Sequence, residues 1–143
     1  MTPQLTLDLV TQEKRLFTIP VSSVTAQTVE GEITILPGHV PLLTRLTEGI
    51  LRFTAGAGEQ VFAIFGGFLE VGSDNQVNVL ADSAVRAEDI DLAKVESAKK
   101  QAEATLLDKS RELEFADAEA ALRRAYLSIR AAQKSSKPRH SQT

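Results

Sequence analysis

Leu5, Leu7 and Leu9 alternate with Thr6, Asp8 and Val10, a period of two that predicts a strand with one buried face. Val21 to Thr28, rich in β-branched residues, predicts another, and Glu30-Gly31 supplies a turn into a strand over Glu32 to Leu36. Ile50 to Ala55 and Gln60 to Phe65 flank Gly56-Ala57-Gly58 like the arms of a hairpin. Phe68 to Val71 and Val77 to Leu80 do the same around Ser73-Asp74-Asn75. Many short strands punctuated by turn residues predict a sandwich or barrel.

Near Ala84 the period changes. Leu92, Val95, Ala98, Ala102 and Leu106 recur at helical spacing, with Asp89 or Asp91 placed to cap the helix and an end near Asp108. Asp108-Lys109-Ser110 reads as a break. Phe115, Ala118, Leu122, Ala125, Ile129 and Ala132 then follow one another at steps of three and four within a helix of about Glu112 to Gln133. Two helices joined by a short break predict an antiparallel hairpin. The expected fold is thus segregated α+β: a β-sandwich over 1–85, a two-helix domain over 86–134 and a disordered tail over 135–143. All eight glycines lie between Gly31 and Gly72, which agrees with the division.

Composition narrows the function. A net charge of −3 gives no basic field for nucleic acid. The absence of cysteine removes disulfides and thiolate chemistry. No apolar run is long enough for a membrane span, and Met1 to Leu9 lacks the form of a signal peptide. The two histidines, His39 and His140, belong to no credible catalytic set, and no GxxxxGK[ST] phosphate loop occurs. An enzyme is therefore not expected. Glu88, Asp89 and Asp91 form an acidic trio, but carboxylates gather at helix N-termini for electrostatic reasons alone, so no metal is expected.

The densest signal is Gly31-Glu32-Ile33-Thr34-Ile35-Leu36-Pro37-Gly38-His39-Val40-Pro41-Leu42-Leu43. A strand ends at Leu36, Pro37-Gly38 turns the chain, and Pro41 stiffens the exit before Leu42-Leu43 return to the core. Spacing alone is satisfied by a rigid loop carrying an ordinary histidine. The segment also resembles the GELGILPGHxPLL signature of the epsilon subunit family of F-type ATP synthases, of bacterial or plastid type. Gly66-Gly67-Phe68-Leu69-Glu70-Val71 is similar to that family's GGFLEV. Val77 to Asp82 and Arg86 to Asp91 are similar to its junction between sandwich and helices. The likeness covers residues 4 to 134 or so.

The resemblance implies a non-catalytic central-stalk subunit on the cytoplasmic face of the plasma membrane. It would touch the membrane only through the complex. Implied partners are the γ subunit, the c-ring and, transiently, the α and β subunits. Glu30, Gly31, Glu32 and His39 occupy positions that lie toward the c-ring. No cofactor is expected. ATP is a possible regulatory ligand, with Ile90, Asp91, Lys94 and Arg124 matching or approaching the family's nucleotide pattern. Lys94, Gln101 and Ser128 stand where that pattern has arginine, so any binding is expected to be weak. Arg123, Arg124, Arg130 and Lys134 crowd the end of the second helix, and two readings stand. They compensate the helix dipole, or they grip an acidic partner surface as a brake on ATP hydrolysis. The alternative function is a free-standing ATP-sensing or adaptor module; a small β-sandwich enzyme is a third.

Overall fold

The computed structural model describes residues 3–56, 58–108 and 114–136. Two compact units divide the chain, Met1–Val85 and Arg86–Thr143.

The first unit is one eight-stranded sheet folded on itself. Its strands are β1 (Leu5–Thr11), β2 (Arg15–Val21), β3 (Ser23–Thr28), β4 (Gly31–Ile35), β5 (Leu42–Ala55), β6 (Gly58–Val71), β7 (Gln76–Ala81) and β8 (Ala84–Arg86). The order is β2-β1-β7-β6-β5-β3-β4, with β8 also on β6. All pairs along this path are antiparallel except β1 with β7. The fourteen-residue strands β5 and β6 belong to both layers. Leu42–Leu46 pairs with Gly67–Val71, which continues to β7, while the remainder of β5 reaches β3 at Arg52 to Thr54. Phe17 on β2 proves the folding. Its ring lies 5.4 Å from that of Phe53 on β5 and 5.7 Å from Phe62 on β6, although β2 stands at the far end of the strand order. Leu5, Leu7, Leu9, Val24, Ile35, Phe53, Leu69 and Val79 fill the space between the layers.

Three sequence expectations change here. Arg15–Val21 is a strand that the pattern hid, because Pro20 interrupts it; β2 is an edge strand, where a missing N–H costs no ladder bond. The strands expected separately over Gln60–Phe65 and Phe68–Val71 are one strand, in which Gly66 and Gly67 take φ of 93° and 131° and let the chain continue instead of breaking. Leu43 does not return to the core: it is 68% exposed, on the outward phase of β5. Within the Gly56-Ala57-Gly58 loop, Ala57 lies outside the described residues.

In the second unit a 3₁₀ turn, Ala87–Asp89, precedes α1 (Leu92–Leu107) and α2 (Phe115–Ser136). Asp91, not Asp89, caps α1. Its Oδ1 accepts from the amides of Ala93 at 3.0 Å and Lys94 at 3.3 Å. The helices pack on each other antiparallel: Lys99 meets Tyr126, while Thr105 shares a groove with Glu114 and Asp117. Ala118, Ala125 and Ala132 of the expected stripe are buried, and so are Leu127 and Ala131, which lie on another face of the helix. On α1 only part of the expected face is covered. Ala102 is buried, but Leu92 is 46% exposed and Ala98 is exposed. Ser135 and Ser136 continue α2 instead of opening a tail. Lys109 and Ser110 of the expected break, the expected start at Glu112, and the tail from 137 to 143 with His140 lie outside the described residues.

Candidate functional site

The sandwich carries an apolar strip on its outer surface. Strand pairing sets Arg45 beside Phe68, Phe68 beside Leu80, and Leu80 beside Val10. Leu69, Val71, Val77 and Val79 point inward, so the alternate residues Phe68 and Leu80 must point out. They are 47% and 51% exposed, and Leu43 on β5 adds a third large apolar side chain. Leu43 begins the next row, which beyond it is polar and held in place. Asn78 Nδ2 donates to Glu70 Oε1 at 3.1 Å, Gln76 Nε2 donates to Asn78 Oδ1 at 2.9 Å, and Thr18 Oγ1 donates to Asp8 Oδ1 at 2.9 Å. Arg15 pairs with the same Asp8 at 3.2 Å. An apolar strip rimmed by ordered polar groups is the chemistry of a docking surface. The sequence reading missed it. The signal was present in the apolar residues occupying the outward phase of Phe68-Leu69-Glu70-Val71 and Val77-Asn78-Val79-Leu80.

The residues expected to face the c-ring fall into two places. Glu30 lies with Val29 in the two-residue β3–β4 turn and Gly31 opens β4, with Gly31 at φ 115° and Thr28 Oγ1 donating to the Gly31 carbonyl at 2.7 Å. The amide of Glu30 returns to Thr28 Oγ1, and Val29 donates to the Arg45 carbonyl. Glu32 is exposed and within 3.7 Å of Arg52. His39 belongs to the loop after β4, beyond the other end of that strand, which itself spans roughly 13 Å from Gly31 to Ile35. Its Nδ1 lies 2.6 Å from the Val40 carbonyl, and its amide donates to Leu36. The neighbouring Gly38, at φ 87°, donates its amide to Asn75 Oδ1 at 2.7 Å. That contact fastens the loop to the β6–β7 turn. Val40 stands 70% and Leu36 56% exposed on the same loop.

On the helices, Ile90 and Asp91 immediately precede α1 and Lys94 lies in its first turn, with Ile90 half-buried and Lys94 exposed. Arg124 does not join them at the same level. The pairing of α1 with α2 sets it beside the turn 98–101, some 6–10 Å beyond Lys94 and about 10–15 Å beyond Asp91. Asp91, moreover, already holds two amides of its own helix. Arg123, Arg130 and Lys134, spaced by seven and four, fall within an arc of about 40° on one face of α2, whereas Arg124 sits about 100° from Arg123. All four are exposed. Among the described residues no group of His, Asp and Glu is arranged to hold a metal, and no helix is long and apolar enough to cross a membrane.

Family models match nearly the whole described chain. Residues 4–87 match the β-sandwich domain of the ATP synthase delta/epsilon chain, and residues 88–133 its long α-helix domain. The chain belongs to the ATP synthase delta/epsilon family. It is 47% identical over 132 residues to the ATP synthase epsilon chain of Dehalococcoides mccartyi, covering 92% of this chain and 94% of that one. To the epsilon chain of Herpetosiphon aurantiacus it is 42% identical over 126 residues, covering 88% and 92%. Among solved structures it resembles a chain of the Euglena gracilis mitochondrial ATP synthase, an assembly of OSCP, F1 and c-ring. The TM-score is 0.77 at 30% identity, over 91% of this chain and 81% of that one. In this family the role is that of a non-catalytic subunit of the membrane-bound ATP synthase, so the chain is not itself an enzyme.

Proposed function

We propose that the sandwich is the rotor-docking part of this subunit, that it couples the γ subunit to the c-ring, and that the helices brake ATP hydrolysis. The exposed strip of Leu43, Phe68 and Leu80 carries the first part. Three large apolar side chains are held outward by strand phase on a sheet whose opposite face is already filled. A γ subunit presenting an apolar patch would bury them, and the ordered rim of Asp8, Glu70 and Asn78 would fix the orientation. The c-ring is the second partner, by analogy with the Euglena assembly, which contains one. Glu30, Gly31 and Glu32 form one contact to its polar loops, and His39 a second.

The braking role rests on α2. Its cationic row of Arg123, Arg130 and Lys134, with Arg124 beside it, suits the acidic surface of α or β subunits reached transiently. ATP binding at Ile90, Asp91, Lys94 and Arg124 would be weak, because Arg124 stands one to two turns beyond Lys94 and two to three beyond Asp91. The subunit works at the cytoplasmic face of the plasma membrane as a peripheral component. Reconstituting the complex with and without the chain tests the proposal. Coupled proton pumping should need the sandwich, and ATP hydrolysis should rise when the helices are removed. Purification as a monomer with no γ partner would instead favour a free-standing adaptor.

A further inference from the structure

The α1–α2 interface is built from small side chains. Ala102, Ala118 and Ala125 are its buried residues near the middle. Beside them Ala98, Ala104 and Ala121 border an open groove of about 620 Å³. Side chains on either side of such a gap lose the dispersion contacts that a filled interface would give. Against this background Lys99 of α1 reaches across to α2, its Nζ 4.8 Å from the centre of the Tyr126 ring. That is well inside the range in which an ammonium is attracted to an aromatic face. Tyr126 is 52% exposed, so the ring is held on the rim of the helix pair and not in its core.

We propose that the Lys99–Tyr126 pair is a clasp that sets how readily α1 and α2 separate. The clasp belongs to the helix pair itself. Its consequence for hydrolysis rests on the braking role proposed above. At a half-exposed site one such contact changes an equilibrium roughly two- to fivefold.

The chain supplies its own probes. Tyr126 is the sole tyrosine, there is no tryptophan, and there is no cysteine. Spin labels on Glu103→Cys and Glu119→Cys, two exposed positions on α1 and α2, report helix separation in the full-length chain. Tyr126→Leu and Lys99→Met should each raise the separated fraction two- to fivefold. Tyr126→Phe, which keeps the ring face, should leave it unchanged. The ε-methylene protons of Lys99 should also be shifted upfield relative to those of Lys100 by the ring above them. Unchanged label distances in the Leu and Met variants, a Phe variant as open as the Leu variant, or an unshifted Lys99 would each overturn the clasp. The same variants in the assembled complex separate the two proposals. If helix separation responds while hydrolysis does not, the brake fails and the clasp stands.

Discussion

Gly67 and Leu80 approach so closely that a methyl group on Gly67 would overlap the Leu80 carbonyl oxygen and lie 2.8 Å from the Cα of Ala81. The neighbours are backbone atoms of the strand paired with β6, so they cannot swing aside. Gly67 also holds φ 131°, where an L side chain is strained. Gly67→Ala should therefore destabilise the sandwich by about 2–4 kcal/mol, combining overlap and strain. Gly58→Ala is the control: nothing lies within 4 Å of its added methyl, and its cost should stay within about 1 kcal/mol. Urea unfolding of both variants decides the matter, and equal midpoints would rule out the close approach.

The next prediction concerns the outer strip. Phe68→Ser with Leu80→Ser removes two half-exposed side chains and leaves the interlayer core untouched. Stability should change by less than about 1 kcal/mol, whereas affinity for the γ subunit should fall roughly 10- to 100-fold through lost apolar burial. Pull-down of γ by the full-length variant measures it. Retained binding at wild-type strength would place the γ contact on another face.

How much of this was legible in the residues depended on which phase carried the signal. The inward leucines of β1 and the stripe Ala118, Ala125, Ala132 on α2 could be read directly, because burial imposes periods of two and of three to four. β2 escaped because Pro20 looks like a break until the strand is known to lie at an edge. The length of β6 escaped because Gly66-Gly67 reads as a stop in one dimension and as a close approach of two strands in three. The docking strip was hidden for a related reason. An outward Phe68 next to an inward Leu69 looks like a simple apolar run, and only the pairing with β7 shows which of the two faces solvent. For the helices, Leu127 and Ala131 belong to a second buried face that a single stripe could not announce.

Asp91 gives a prediction about caps. Its Oδ1 accepts from two backbone amides, so Asp91→Ala should weaken α1 by about 1 kcal/mol, while Asp91→Ser, another good N-cap, should recover most of that. Hydrogen exchange of the first turn of α1 is the measurement. If Ser protects no better than Ala, the carboxylate acts through charge at the helix terminus and not as a cap.

The alignment of cations on α2 separates the two readings of its basic end. Arg123, Arg130 and Lys134 form a row about 16 Å long on one face, and Arg124 points elsewhere. Dipole compensation depends on nearness to the C-terminus and is confined to the last turn, so it would involve Lys134 and leave Arg123 without effect. Electrostatic capture depends instead on a shared face. Replacing Arg123, Arg130 and Lys134 together by Gln should then raise ATP hydrolysis toward the level given by deletion from Arg86 onward, with Arg124→Gln alone doing much less. These side chains are exposed, so each contributes little singly, and the wild-type brake should weaken as salt shortens the screening length. Hydrolysis by the reconstituted complex at low and high salt tests both features. If the deletion raises hydrolysis and the triple variant does not, the helices brake through packing and the cations serve only the helix itself.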